Sequence, residues 1–109
     1  MVRSMVLSAL VMLGLAGIAS AQDAKAKGAE VFTAQKCSLC HAIAGKGNPK
    51  GALDDVGSKL KADEIREWIV DSKGMTAKTK PTRKPDMKAY SLPKEDVDAL
   101  VAYLSSLKK

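Results

Sequence analysis

An all-α fold is what this sequence predicts, on three observations. After residue 22 there is no Val- or Ile-rich run with the period-two alternation of a half-buried strand. Three segments, near residues 24–35, 63–72 and 94–107, instead carry apolar residues at helical spacing. The chain's two cysteines and its one histidine all stand in the stretch Cys37-Ser38-Leu39-Cys40-His41. A chain of 109 residues buries a modest core and leans on a staple, a metal or a cofactor. The clustered Cys and His residues are where such a group would attach.

The first residues are set aside before the helices are counted. Arg3 gives a basic start, Met5 to Ile18 carries no charge, and Ala19-Ser20-Ala21 supplies the small-x-small pattern of a signal-peptidase site. The apolar run is shorter than the roughly 20 residues a spanning helix needs. Residues 1–21 are therefore expected to be a cleaved signal peptide, cut after about Ala21, and residues 22–109 a single exported domain. Export by this route places the mature chain in the periplasm, with no stable membrane insertion. With Arg3 gone, the 18 basic residues fall to 17 against 12 acidic ones, a net charge of +5.

The first helix is expected over about Ala24 to Gln35. Gly28 and Phe32 lie four apart and share a face, with Val31 beside it. A glycine inside a helix costs about 1 kcal/mol against alanine, so Gly28 implies a close approach by another element.

Cys37-x-x-Cys40-His41 follows and has four readings. A redox dithiol belongs to a βαβ fold, for which the chain lacks strands. Structural zinc wants four ligands, and two thiolates with one imidazole supply three. A lone Cys37–Cys40 disulfide closes too small a loop to hold a domain. Covalent haem attachment fits the spacing. Two sulfurs add to the vinyl groups on one porphyrin edge, and the next residue presents its imidazole to the iron. On that reading Cys37 and Cys40 bind one haem c, His41 is an axial ligand, and the haem supplies the missing core. The fold class is then three or more helices wrapped around one covalently attached haem.

The stretch from Gly45 to Gly51 is glycine-rich, lacks the Gly-Lys-Ser/Thr ending of a phosphate loop, and reads as a surface loop. The second helix is expected over about Asp63 to Ser72, with Ile65, Trp68 and Ile69 at i, i+3 and i+4. Asp63 and Glu64 suit its N-terminus, and Lys73-Gly74 its end.

A second axial ligand must come from elsewhere, because His41 is the lone histidine. Methionine is the next common choice. Met1, Met5 and Met12 leave with the leader, so Met75 and Met87 remain. Met87 lies between Pro85 and Pro93, in a stretch that cannot be an ordinary helix or inner strand. An ordered loop there can hold a thioether over the haem, so Met87 is favoured, with Met75 as the alternative. The last helix is expected over about Lys94 to Leu107, where Val97, Leu100, Val101, Leu104 and Leu107 form one stripe. Trp68 and Tyr103 are read as core residues whose polar tips could reach a haem propionate.

Together these residues resemble the class I cytochromes c, the small soluble bacterial ones, over nearly all of residues 22–109. Residues 28–41 look like that family's first helix and attachment motif, and residues 85–107 like its methionine loop and C-terminal helix. The resemblance implies that the first and last helices cross, with Gly28 and Phe32 meeting Leu100 and Tyr103. One departure stands out. Where the family often has a Gly-Pro-x-Leu-like loop whose proline carbonyl accepts the histidine's other ring N–H, this chain has Gly51-Ala52-Leu53. That carbonyl, or that of Pro49, is the candidate partner of His41.

The function implied is single-electron transfer by a monomeric carrier. An iron with both axial positions filled has no place for substrate, and nothing in the sequence looks like acid–base machinery. Two other readings are a haem protein with an open or labile sixth position, for ligand binding or peroxide chemistry, and a cytochrome subunit of a larger oxidoreductase. Lys73, Lys78, Lys80, Arg83, Lys84 and Lys88, opposed only by Asp71 and Asp86, predict a basic haem edge. Such an edge suits transient docking of acidic redox partners. Nucleic acid is not expected as a partner outside the cytoplasm.

Overall fold

The structure, a computed structural model, describes the backbone of residues 16–109 and the side chains of residues 21–109. Most of the expected leader therefore lies outside the described residues. Among the described residues five helices follow one another: α1 (Ala16–Ala34), α2 (Val56–Lys59), α3 (Ala62–Val70), α4 (Ser72–Thr79) and α5 (Lys94–Ser105). Between α1 and α2 lie two 3₁₀ turns, Cys37–Leu39 and Pro49–Gly51, and a two-stranded hairpin of β1 (Ala42–Ile43) and β2 (Lys46–Gly47). No helix among the described residues is long and apolar enough to cross a membrane.

α1 and α5 form the frame. Gly28 is buried, and a Cβ there would run into the Ala99 carbonyl and the Tyr103 Cβ. The close approach inferred from a glycine inside a helix is thus the crossing of α5 over α1. Phe32 and Tyr103 meet edge to face there, ring centroids 6.2 Å apart at 73°. α3 packs on α5 as well and adds Ile65 and Ile69 to the core. These two join Val31, Phe32, Val97, Leu100, Val101 and Leu104 in one core. α2 is tied to the end of the chain by Gly57 N–H donating to Leu107 O (2.8 Å) and Lys109 N–H donating to Asp55 Oδ1 (2.7 Å).

The second predicted helix, about Asp63 to Ser72, is α3, which ends at Val70, and a further helix, α4, follows it that was not predicted. Asp71 breaks the run with φ −140° and ψ 54°. Its N–H closes α3 on Glu67 O (2.7 Å), and its carboxylate opens α4 by accepting from Gly74 N–H (3.2 Å). Lys73-Gly74, read as a stop, therefore sits in the first turn of α4. α4 presents Met75 but no apolar stripe, so its periodicity was invisible.

The hairpin was also unforeseen. Its strands pair Ala42 with Gly47 and Ile43 with Lys46, and its turn puts Ala44 at φ 52° and Gly45 at φ 78°. Two-residue strands are too short for alternation to register. Their role is local. Ala42 O also accepts from Leu53 N–H at 2.8 Å, so the hairpin carries the residues after His41 against the 51–53 stretch.

Candidate functional site

α1 ends at Ala34, and Lys36 turns the chain through a left-handed conformation (φ 58°) into the Cys37–Leu39 turn. Cys40 N–H and His41 N–H both donate to Cys37 O, at 3.1 and 2.9 Å. One tight turn thus gathers the two thiols and the imidazole. Cys37 is half-buried and Cys40 exposed, and the two are not bonded to each other. Burial pushes the Cys37 thiol above its ordinary range, against its own backbone hydrogen bond and the charge of Lys88. Among the described residues no three His, Cys, Asp or Glu side chains converge on a metal-binding geometry.

His41 Nδ1 lies 3.0 Å from Gly51 O. Nδ1 therefore carries the proton it donates to that carbonyl, and the Nε2 lone pair is left for a ligand bond. The partner falls in the predicted 51–53 stretch, but it is Gly51, one residue before the alanine at the family's proline position, and not Pro49. Burial holds the imidazole below its ordinary pKa, the Gly51 hydrogen bond opposes this, and Arg83 adds to it. A neutral imidazole is the form that ligates.

These side chains open onto a cavity of about 500 Å³, within the roughly 300–1,000 Å³ of ligand and cofactor sites. Phe32, Leu100 and Leu104 from the α1–α5 frame line it, as do Trp68 and Ile69 of α3. Leu53, Val56 and Leu60 around α2 form another wall, and the loop between α4 and α5 contributes Arg83, Pro85, Met87 and Tyr90. Tyr90 N–H donates to Ile69 O at 2.9 Å and so fastens that loop to α3. The structure thus brings Cys37, Cys40, His41 and Met87 to one cavity. Met75 is buried at 5 % exposure in α4 and is not on the cavity wall. Trp68 lines the cavity, whereas Tyr103 packs on Phe32. An adjoining recess of about 450 Å³ shares Trp68 and extends to Lys59 and Thr79.

Three features escaped the sequence reading. The Thr76 hydroxyl is buried, lines the cavity and has no hydrogen-bond partner in the protein. A lone threonine gives no signal of that kind. The second is the Gly51 carbonyl, which any residue could have supplied. The third is Arg83, hidden in a basic run. It is half-buried, and its guanidinium donates to Cys40 O. The run is consequently less uniform than its composition implied, since Lys84 also pairs with Asp86 at 2.8 Å. Lys73, Lys78, Lys80 and Lys88 are exposed, Lys88 with its Nζ 5.0 Å from the centre of the Tyr90 ring.

A haem fits this arrangement. The walls are apolar and aromatic, two thiols and a properly oriented imidazole stand at one edge, a thioether lies on the wall, and a buried hydroxyl waits for a polar partner.

Comparison with known proteins agrees with that chemistry. The chain is 31 % identical over 91 residues to cytochrome c oxidase subunit 2 of Alkalihalophilus pseudofirmus, a stretch covering 75 % of this chain and 25 % of that protein. The chain thus spans about a quarter of that relative's length. No solved structure matches it. The cytochrome c family matches residues 25–108, from within α1 to beyond α5. The all-α architecture and that match together make this chain a member of the cytochrome c family, whose domain carries covalently attached haem c and serves electron transfer.

Proposed function

We propose that the mature chain is an exported, periplasmic carrier of single electrons that holds one haem c with His41 and Met87 as axial ligands. The observation that carries this reading is that both cysteines, the histidine and Met87 line one cavity. When bound, the haem supplies one-electron oxidation and reduction of its iron. The protein does the rest. Cys37 and Cys40 would tether the group through thioether bonds. Gly51 holds the His41 ring with Nε2 free, so that His41 would be a ligand to the iron. Met87 would be the other ligand, and a thioether there would raise the reduction potential and leave no place for substrate. Apolar walls keep water out and the pocket rigid. The Trp68 indole and the unpartnered Thr76 hydroxyl line the cavity and would be available as donors to polar groups of the haem.

Absorption spectra of the oxidised and reduced protein, with Met87→Ala and Met75→Ala beside it, test the ligand set. The expected outcome is sharp c-type bands with a weak far-red sulfur-to-iron band, lost in Met87→Ala and kept in Met75→Ala. A high-spin spectrum in the unmutated protein, shifting on addition of cyanide or carbon monoxide, overturns it in favour of an open sixth position.

Partners are proposed to be acidic redox proteins that dock transiently. Leu39, 71 % exposed beside Cys40, leaves the attachment edge open to solvent, and the lysines of the 73–88 stretch give the chain's surface its positive sign. A second reading is favoured by the oxidase-subunit relative: a cytochrome domain fixed in a larger oxidoreductase.

A further inference from the structure

Arg83 stands apart from the lysines around it. It sits in the loop between α4 and α5, four residues before Met87, yet its guanidinium turns inward. One nitrogen donates to Cys40 O, the carbonyl directly before His41. The same group lies so close over Gly51 that a Cβ at that position would collide with it. Gly51 is in turn the residue whose carbonyl orients the His41 ring at 3.0 Å. A single side chain therefore touches both backbone segments that position the histidine, and it is carried by the loop that carries the candidate sixth ligand. A planar fork suits this task, because one of its nitrogens can hydrogen-bond a carbonyl while the other lies over a residue without a side chain.

We propose that Arg83 is a positioning residue that latches the methionine loop onto the haem-attachment turn and so guards the sixth coordination position. The inference rests on the His41/Met87 reading. For Met87 to leave the iron, its loop must move, and the Arg83 hydrogen bond resists that movement. Losing a charged hydrogen bond of this kind shifts an equilibrium by about tenfold or more.

The test is imidazole binding to the oxidised holoprotein, followed through the far-red band, in the parent, Arg83→Gln, Arg83→Lys and Asp98→Asn. Asp98 pairs across the α3–α5 seam, so its variant reports general loosening. Arg83→Gln is expected to keep covalent haem and the far-red band but to bind imidazole about tenfold more tightly than the parent. Arg83→Lys should fall between the two, since an ammonium can reach a carbonyl but has no second arm to lie over Gly51. If Arg83→Gln does not mature, Arg83→Lys carries the measurement. Parent-like affinity in the Arg83 variants overturns the latch, as does an equal gain in Asp98→Asn. A parent that lacks the far-red band and binds imidazole directly overturns the His/Met reading, and the latch falls with it.

Discussion

Gly28 shows how one missing Cβ sets a helix crossing. A methyl group there would meet the Ala99 carbonyl and the Tyr103 Cβ inside contact distance, and backbone cannot rotate out of the way. Gly28→Ala gains about 1 kcal/mol of helix propensity but overpacks the α1–α5 seam, which costs typically 1–3 kcal/mol. The expected net is a loss of about 1 kcal/mol, read as a lower urea midpoint of the holoprotein. An unchanged or higher midpoint would mean that the crossing is looser than the structure has it. Residues differ sharply in how much of this could be read in advance. Gly28 announced itself, because a glycine inside a helical pattern needs a reason. The Gly51 carbonyl and the inward turn of Arg83 did not, because neither depends on a residue type unusual for its place.

Among the elements, α3 and α5 are joined by packing and by charge. Ile65 and Ile69 pack on α5, and beside them Arg66 Nη2 meets Asp98 Oδ1 at 2.6 Å while Lys94 Nζ meets Asp98 Oδ2 at 2.8 Å. The hydrogen bonds from Lys94 and Arg66 hold the Asp98 carboxyl below the usual carboxylate range. A depressed carboxylate contributes stability above its unfolded pKa of about 3.9 and loses it as pH falls through the lower folded value. Asp98→Asn should therefore lower the urea midpoint slightly at neutral pH, as expected for an exposed pair. The gap to the parent should narrow as pH falls below about 4. A gap that stays constant across that range would show that the charge does not matter. The first and last helices were legible as elements because each buries a stripe or face. α4 was not, since its start depends on the Asp71 cap and its one buried apolar side chain, Met75, has no periodic partners.

At the scale of the whole molecule, the helical frame and the α4–α5 loop line one cavity. Phe32, Trp68, Ile69, Leu100 and Leu104 all line the cavity, and all but Trp68 also belong to the packed core, so one set of side chains serves both the frame and the site. Charge works at the same scale. The chain carries a net +6 over its full length, and exposed lysines flank the loop that bears Met87. Electron-transfer rates with an acidic partner protein should fall steeply between low and moderate salt, where the screening length shrinks to about 10 Å. Stopped-flow rates that stay flat over that range would sink the diffusing carrier and favour the fixed-subunit reading.

The sequence by itself determined the class of fold and which residues stand together as candidates to attach a cofactor. Two cysteines and a histidine at fixed spacing within one turn need no tertiary structure to be neighbours, and amphipathic stripes state which faces must be covered. Only the tertiary structure decided which methionine reaches the cavity, which carbonyl orients His41, and that one cation of a basic run turns inward. Those outcomes depend on where separate segments meet. Residues 40, 51, 83 and 87 come together because α1, α3 and α5 hold a loop against a turn, and no periodicity along the chain encodes that distance.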